Sequence, residues 1–240
     1  MSIGIIGFGR FGRLLANYLC EDFLVYVYDR DMSKVQNDDC VVSSLEQVCT
    51  KEYLILAVPI SQLKALLKKI APLVKKHTTV IDVCSVKKLP AEWMKSELDE
   101  NVQVLATHPM FGPDSARESL EGKKIVLCKE NIAEGTYKKV KEYLEGKGLS
   151  VIETSPDEHD RQIATTLSLV HFIGRGLGEY GAQAKTIDTE GYKRLLAILD
   201  VVEHDTWQLF EDMHKFNPYA QEAREKFFNS LKKVEERLSK

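Results

Sequence analysis

Cysteine is scarce and without pattern in this chain. Five occur among 240 residues, at Cys20, Cys40, Cys49, Cys84 and Cys128, and they form neither a CxxC pair nor a zinc spacing. An odd, scattered set excludes a disulfide scaffold, gives no metal site, and fits reduced thiols in a cytosol. An excess of one charge is also lacking: 33 basic residues stand against 36 acidic ones. Such a balance provides no global field to hold a nucleic-acid backbone. No apolar run approaches the roughly 18 to 20 residues that span a bilayer, and Met1 leads directly into a strand pattern with no targeting segment. The expectation is a cytoplasmic protein that binds a small molecule, with neither nucleic acid nor membrane as partner.

What is present is an alternation of short β-prone runs and helical patterns up to about Thr154. The runs begin at Ile3, Leu24, Tyr53, Thr78, Val102, Lys124 and Ser150. Strand, helix and strand in succession predict a parallel sheet covered on both faces. From Pro156 onward the pattern is helical throughout, in three apolar-striped pieces, "IATTLSLVHFIGRGLGEYG", "YKRLLAILDVVEHDTWQLFEDM" and "AREKFFNSLKKVEERL". The fold class expected is therefore α/β, a doubly wound Rossmann-type nucleotide-binding domain at 1–155, followed by an all-helical domain at 156–240.

Directly after the first strand stands "GFGRFG", with Gly7, Gly9 and Gly12 in the spacing G-x-G-x-x-G. In that motif the first glycine turns the chain, the second lets backbone approach a pyrophosphate, and the third packs helix on strand. Arg10 and Phe11 lie inside it. A helical pattern follows, then a strand ending in Asp29, where the fold places the acid that binds the adenine ribose. These residues predict NAD. Arg30 keeps NADP open, because an arginine there can receive a 2′-phosphate. "AVPI" ends another strand, and Val58 and Pro59 read either as a place where the chain runs under a cofactor or as a strand stop.

Two further stretches, "DVCSVK" and "THPMFGPDSAR", follow strands and so fall at the same carboxyl edge, in the crevice where such sheets bind ligands. Ser85 and His108 are the chemical groups there, close enough in this topology to meet. For His108 the alternative is a hydrogen-bonded structural histidine. For Ser85 it is a cap before a helix beginning at Lys87.

Taken together, "GFGRFG", "DVCSVK", "THPMFGPDS", "DEHDRQIA" and "HFIGRGLGE" resemble the prephenate and arogenate dehydrogenases, most closely the plant-type arogenate enzymes. The likeness runs from Ile3 to about Leu238, and no appended regulatory domain is expected. It implies oxidative decarboxylation of a cyclohexadienol. His108 then accepts the hydroxyl proton as a neutral imidazole, and Ser85 hydrogen-bonds beside it. The same resemblance assigns His159, Asp160, His171 and Arg175 to the substrate. Asp160 favours the ammonium of arogenate, with a helix cap as the alternative. Twelve residues separate His159 from His171, a little over three α-helical turns, which puts them near one face.

One family feature is missing. Where many bacterial members carry a substrate-binding arginine, Ile198 and Leu199 stand here, so Arg175, Lys193 and Arg194 are the candidates for the ring carboxylate. The helical part carries more apolar residues than it can bury alone, including Leu195, Ile198, Leu199, Val202, Trp207, Leu209, Phe210, Phe227, Phe228 and Leu231. A homodimer through that part is expected, as the resemblance also implies. Against arogenate stand prephenate as substrate, giving 4-hydroxyphenylpyruvate, and a nicotinamide-binding sensor without catalysis. Intact Ser85, His108 and His171 oppose the last.

Overall fold

The computed structural model describes residues 1–239 apart from 32, 34 and 36–38. Two compact units result, Met1–Asp157 and Glu158–Lys240.

The first unit is built on an eight-stranded sheet among the described residues: β1 (Ser2–Ile6), β2 (Leu24–Tyr28), β3 (Val41–Val42), β4 (Tyr53–Leu56), β5 (Thr79–Asp82), β6 (Gln103–Pro109), β7 (Lys124–Lys129) and β8 (Ser150–Glu153). Its order is β3-β2-β1-β4-β5-β6-β7-β8. From β1 the chain winds outward to β2 and β3, then returns to β4 on the other side of β1. That reversal opens a crevice at the carboxyl ends of β1 and β4. Strands β1, β4 and β5 are buried nearly end to end, as helix-covered strands must be.

Two corrections to the expected sheet follow. Strand β3 has only two residues, too few to show any periodicity, and it was not among the anticipated runs. The sheet is also not uniformly parallel: β6 pairs antiparallel with β7, with His108 opposite Val126, and β8 pairs parallel with β7. Residues 110–123, between β6 and β7, contain no crossover helix, and without one a parallel return is not available.

Helices α1 (Arg10–Cys20), α2 (Leu45–Val48), α3 (Ile60–Ile70), α4 (Lys88–Glu97) and α5 (Glu134–Gly146) connect the strands. Helix α3 shows the reason for burial plainly. Ile60, Leu63, Leu67 and Ile70 recur at helical spacing and form its buried stripe, each worth about 1.5–3 kcal/mol.

The second unit is all-helical, with α6 (Pro156–Ile163) entering it, then α7 (Leu169–Tyr180), α8 (Glu190–Glu203), α9 (Trp207–Lys215) and α10 (Ala220–Leu238). The first helical piece is not a continuous α-helix, because a π-helical turn occupies Ala164–Ser168. The second is cut into α8 and α9, where the Thr206 side chain accepts from Leu209 N and caps α9. Val202 is fully buried, so it leaves the set of apolar residues offered to a partner. It packs against Gly174, where an added Cβ would lie 2.7 Å from Val202 Cγ2. Gly181 closes α7 at φ 74°, the left-handed conformation that glycine adopts without strain.

Candidate functional site

At the carboxyl end of β1 the glycines divide their work as the motif requires. Gly7 sits at φ +101°, and a Cβ there would come 2.3 Å from Ala57 O at the end of β4. A Cβ on Gly12 would lie 2.0 Å from Gly7 O, so only glycine lets α1 approach the strand this closely. Gly9 differs, since a Cβ there would meet nothing within 4 Å. It is the N-cap of α1 and makes no side-chain cap bond, which leaves an open cradle at a helix N-terminus. That is the chemistry a pyrophosphate needs.

Asp29, just beyond β2, turns its carboxylate back to this loop: Oδ2 accepts from Phe8 N at 2.7 Å and Oδ1 from Asp31 N at 2.9 Å. Arg30 is exposed. Val58 is half-buried against Gly7, and Pro59 is the N-cap of α3. Arg10 donates to both carboxylate oxygens of Asp114 at 2.6 Å, Phe11 stacks at 6.1 Å on Phe111, and Tyr18 Oη donates to Ala116 O. The loop after His108 is thereby fastened along the start of α1. Asp114, Phe111 and Ala116 were not anticipated, because no spacing rule links positions a hundred residues apart.

Ser85 and His108 stand at the ends of neighbouring strands, β5 and β6, paired in register through Asp82 and Ala106. Between them runs a buried clasp. Lys87 Nζ donates to Asp82 Oδ2 and to Thr107 O, Cys84 N donates to Asp82 Oδ2, and Thr107 N donates to Asp82 Oδ1. Thr107 Oγ1 returns a bond to Asp82 O. The side chains of Lys87 and Asp82 are both at 0% exposure. This clasp fixes the "SVK" turn to the residue before His108, which is itself buried. The Ser85 hydroxyl is buried and has no hydrogen-bond partner, so it neither meets His108 directly nor caps α4, whose N-cap is Lys87. A buried hydroxyl without a partner is costly unless a ligand supplies one.

In the helical unit, His159 Nδ1 lies 2.8 Å from Asp160 Oδ1, with both side chains buried. Asn217 Nδ2 donates to Asp160 O. Asp160 is the fifth residue of α6, past the cap position, so capping is not its role. The π-turn lies between His159 and His171, and the uniform α-helical count used to place them on one face does not hold across it.

His171 is buried, its Nδ1 makes no hydrogen bond, and it lies 3.8 Å from Asp205 Oδ2. Burial holds its pKa below the ordinary value, with Arg175 adding to the effect and Asp205 opposing it. Arg175 donates to Asp205 O and lies over the Trp207 ring, leaving a buried Nε without a partner. Lys193 is an exposed partner of Glu190, and Arg194 is exposed. A second buried-side imidazole, His214, was missed in the sequence. Its Nδ1 faces Arg224 Nη1, and its ring meets Phe172 and Phe210 edge to face. Burial, followed by Arg224 and His171, pushes its pKa down to about 4. Among the described residues no group of three or more His, Cys, Asp or Glu side chains is arranged to hold a metal ion, and no helix is long and apolar enough to cross a membrane.

Comparison with known proteins agrees with this geometry. Residues 13–153 match the family model of the prephenate dehydrogenase nucleotide-binding domain, and residues 176–240 match a TYRAAT1-like C-terminal domain. A probable arogenate/prephenate dehydrogenase of Methanocaldococcus jannaschii is 29% identical over 98% of this chain, which spans 56% of that protein's length. Chloroplastic arogenate dehydrogenase 2 of Arabidopsis thaliana is 28% identical over 97% of this chain, which spans 69% of it. Among solved structures, Aquifex aeolicus prephenate dehydrogenase in complex with hydroxyphenyl propionate and NAD+ aligns over 100% of this chain and 91% of its own, with a TM-score of 0.79 and 21% identity. Synechocystis arogenate dehydrogenase aligns over 100% and 92%, with a TM-score of 0.74 and 21% identity. At that identity the two structures speak for the fold.

Proposed function

The chain belongs to the prephenate dehydrogenase family, and from that premise we propose that it catalyses the oxidative decarboxylation of arogenate to tyrosine with NAD as cofactor. One observation carries the reading: a partnerless Ser85 hydroxyl and a buried His108 imidazole end two adjoining strands, beside a glycine cradle open at Gly9.

The cofactor would be held by the backbone at Gly7, Gly9 and Gly12, by Arg10 and Phe11, by Val58 and Pro59 at the end of β4, and by Asp29 on the adenine ribose. When bound, the nicotinamide supplies a hydride acceptor. The work of the chain is proton management. As the ring hydroxyl becomes a carbonyl, its proton needs a base, and neutral His108 accepts it near pH 7. Ser85 donates to the developing carbonyl oxygen, which gives its buried hydroxyl the partner it lacks. Loss of the ring carboxylate as carbon dioxide restores aromaticity and makes the step irreversible, with no metal and no covalent nucleophile.

On the substrate side, Asp160 is assigned to the ammonium of arogenate by a charge-assisted bond, with His159 beside it. His171 is a neutral hydrogen-bonding group, and Arg175 the candidate for a carboxylate. A preference for prephenate is the second reading, favoured by the engagement of Asp160 Oδ1 with His159. We further assign a homodimer through the helical unit, supported by exposed Trp207, Phe228, Leu231, Val234 and Leu238. The decisive experiment is a set of initial rates for arogenate and prephenate, each with NAD and NADP. Turnover of neither substrate would sink the assignment, and higher efficiency with prephenate would move it to the second reading.

A further inference from the structure

Twenty residues apart in the chain, Cys20 and Cys40 bring their sulfurs to 2.9 Å. A disulfide bond of about 2.05 Å needs a closure of only about 0.9 Å more. Cys20 is the last residue of α1, the helix that begins at the Gly9 cradle. Cys40 immediately precedes β3, a two-residue strand at the edge of the sheet that pairs with β2 through Tyr26 and Val27. Between the two cysteines run β2 and Asp29, whose carboxylate turns toward the glycine loop. The thiol contact therefore joins the two segments that flank the nucleotide position.

We propose that Cys20 and Cys40 form a reversible thiol–disulfide pair, and that its oxidation by a low-molecular-weight disulfide weakens binding of the cofactor at Asp29. The link to the cofactor rests on the assignment of Asp29 to the adenine ribose given above. Half-exposed Cys20 is the point of entry. Burial and the neighbouring Cys20 push the Cys40 thiol up to about 12, which leaves Cys20 as the first sulfur to attack. Cys20 thiolate attacks one sulfur of the small disulfide, and one small thiol leaves. Cys40 then gives up its proton and displaces the second small thiol as the protein disulfide forms. Two protein thiols are oxidised and one small disulfide is reduced to two thiols, which closes the balance. Closing the bond pulls the short β3 edge toward α1, and β2 with Asp29 must follow. The remaining cysteines, Cys49, Cys84 and Cys128, are buried and lie outside this contact.

The test is to equilibrate the full chain in glutathione redox buffers, with peptide mass mapping to identify the bond and NADH fluorescence titration to read affinity. The expected result is a Cys20–Cys40 disulfide, reversed by dithiothreitol, with NADH dissociation constants raised roughly fivefold or more in the oxidised form. By linkage, saturating NADH should protect the thiols from oxidation by the same factor. Cys20→Ser, and separately Cys40→Ser, should keep the reduced-state affinity and lose the response. Failure of the disulfide to form, formation of only a mixed glutathione adduct, or an oxidised protein with unchanged NADH affinity would each overturn the proposal. A reduced wild-type protein that binds no NADH would overturn the cofactor assignment instead.

Discussion

The ammonium of Lys87 and the carboxylate of Asp82 face each other with no access to water, and Thr107 O accepts a second hydrogen bond from the same ammonium. A buried pair of this kind is worth little over a well-packed apolar pair, but breaking it strands a charge. Lys87→Met should therefore cost about 3–5 kcal/mol of stability, and the double change Lys87→Met with Asp82→Asn should recover part of that loss. Urea unfolding midpoints check this. Equal destabilisation of the single and double variants would show that the charge itself is not the issue.

For His108, replacement by Asn should lower turnover by roughly 10²- to 10⁴-fold while NADH binding stays near wild type. Ser85→Ala should cost less, because a water can partly replace its hydrogen bond. Steady-state rates and fluorescence titration separate the two effects. Near-normal turnover in His108→Asn would remove this residue from the mechanism.

Substrate choice should turn on Asp160. Discrimination of roughly 2 to 4 kcal/mol between arogenate and prephenate is expected from a charge-assisted bond between the Asp160 carboxylate and the ammonium that prephenate lacks. Asp160→Asn should lower kcat/KM on arogenate and raise it on prephenate. A parallel fall on both would make the residue structural.

Between cofactors, NAD should be used more efficiently than NADP, because the Asp29 carboxylate accepts ribose hydroxyls and repels a 2′-phosphate. The ratio of kcat/KM for the two measures it, and an advantage for NADP would mean that Arg30 governs the choice.

Acid should weaken the helical unit through its imidazoles. The folded-state pKa of His214 lies below its ordinary 6.5, at about 4, and that of His171 is lowered as well. The unfolded chain thus takes up protons first as pH falls. The stability from His214 is complete above about 6.5 and drains away between 6.5 and about 4, and His171 acts in the same direction. Melting temperatures across that range should fall, and His214→Gln should flatten the slope. An unchanged slope in that variant would assign the acid sensitivity elsewhere.

The glycine loop, the end of β2 at Asp29 and the strands carrying Ser85 and His108 were legible in the sequence because their signals are local: a motif, a run and the residue that ends it. What escaped depends on distance or on small deviations from periodicity. The Arg10–Asp114 pair and the Cys20–Cys40 contact join residues that only the folded sheet brings together. Strand β3 is too short to announce itself. The reversal at β7 follows from the missing crossover helix in residues 110–123, a consequence the run of strand signals does not reveal. His214 sits in an amphipathic stretch where a histidine has no mark of its own until Arg224 and the two phenylalanines surround it.

The wide turn at Ala164–Ser168 amounts to an α-helix holding one residue too many. Removing a single residue there, Thr165 for instance, would let the segment close as regular α-helix while everything beyond it, to Tyr180, keeps its azimuth about the helix axis. Closing the turn with all five residues kept would instead rotate that part by about 100° relative to α6, swinging His171 away from Asp205 and Arg175 from Trp207. The turn therefore acts as an angular spacer: it absorbs one residue and so holds the azimuth at which His171 and Arg175 are presented.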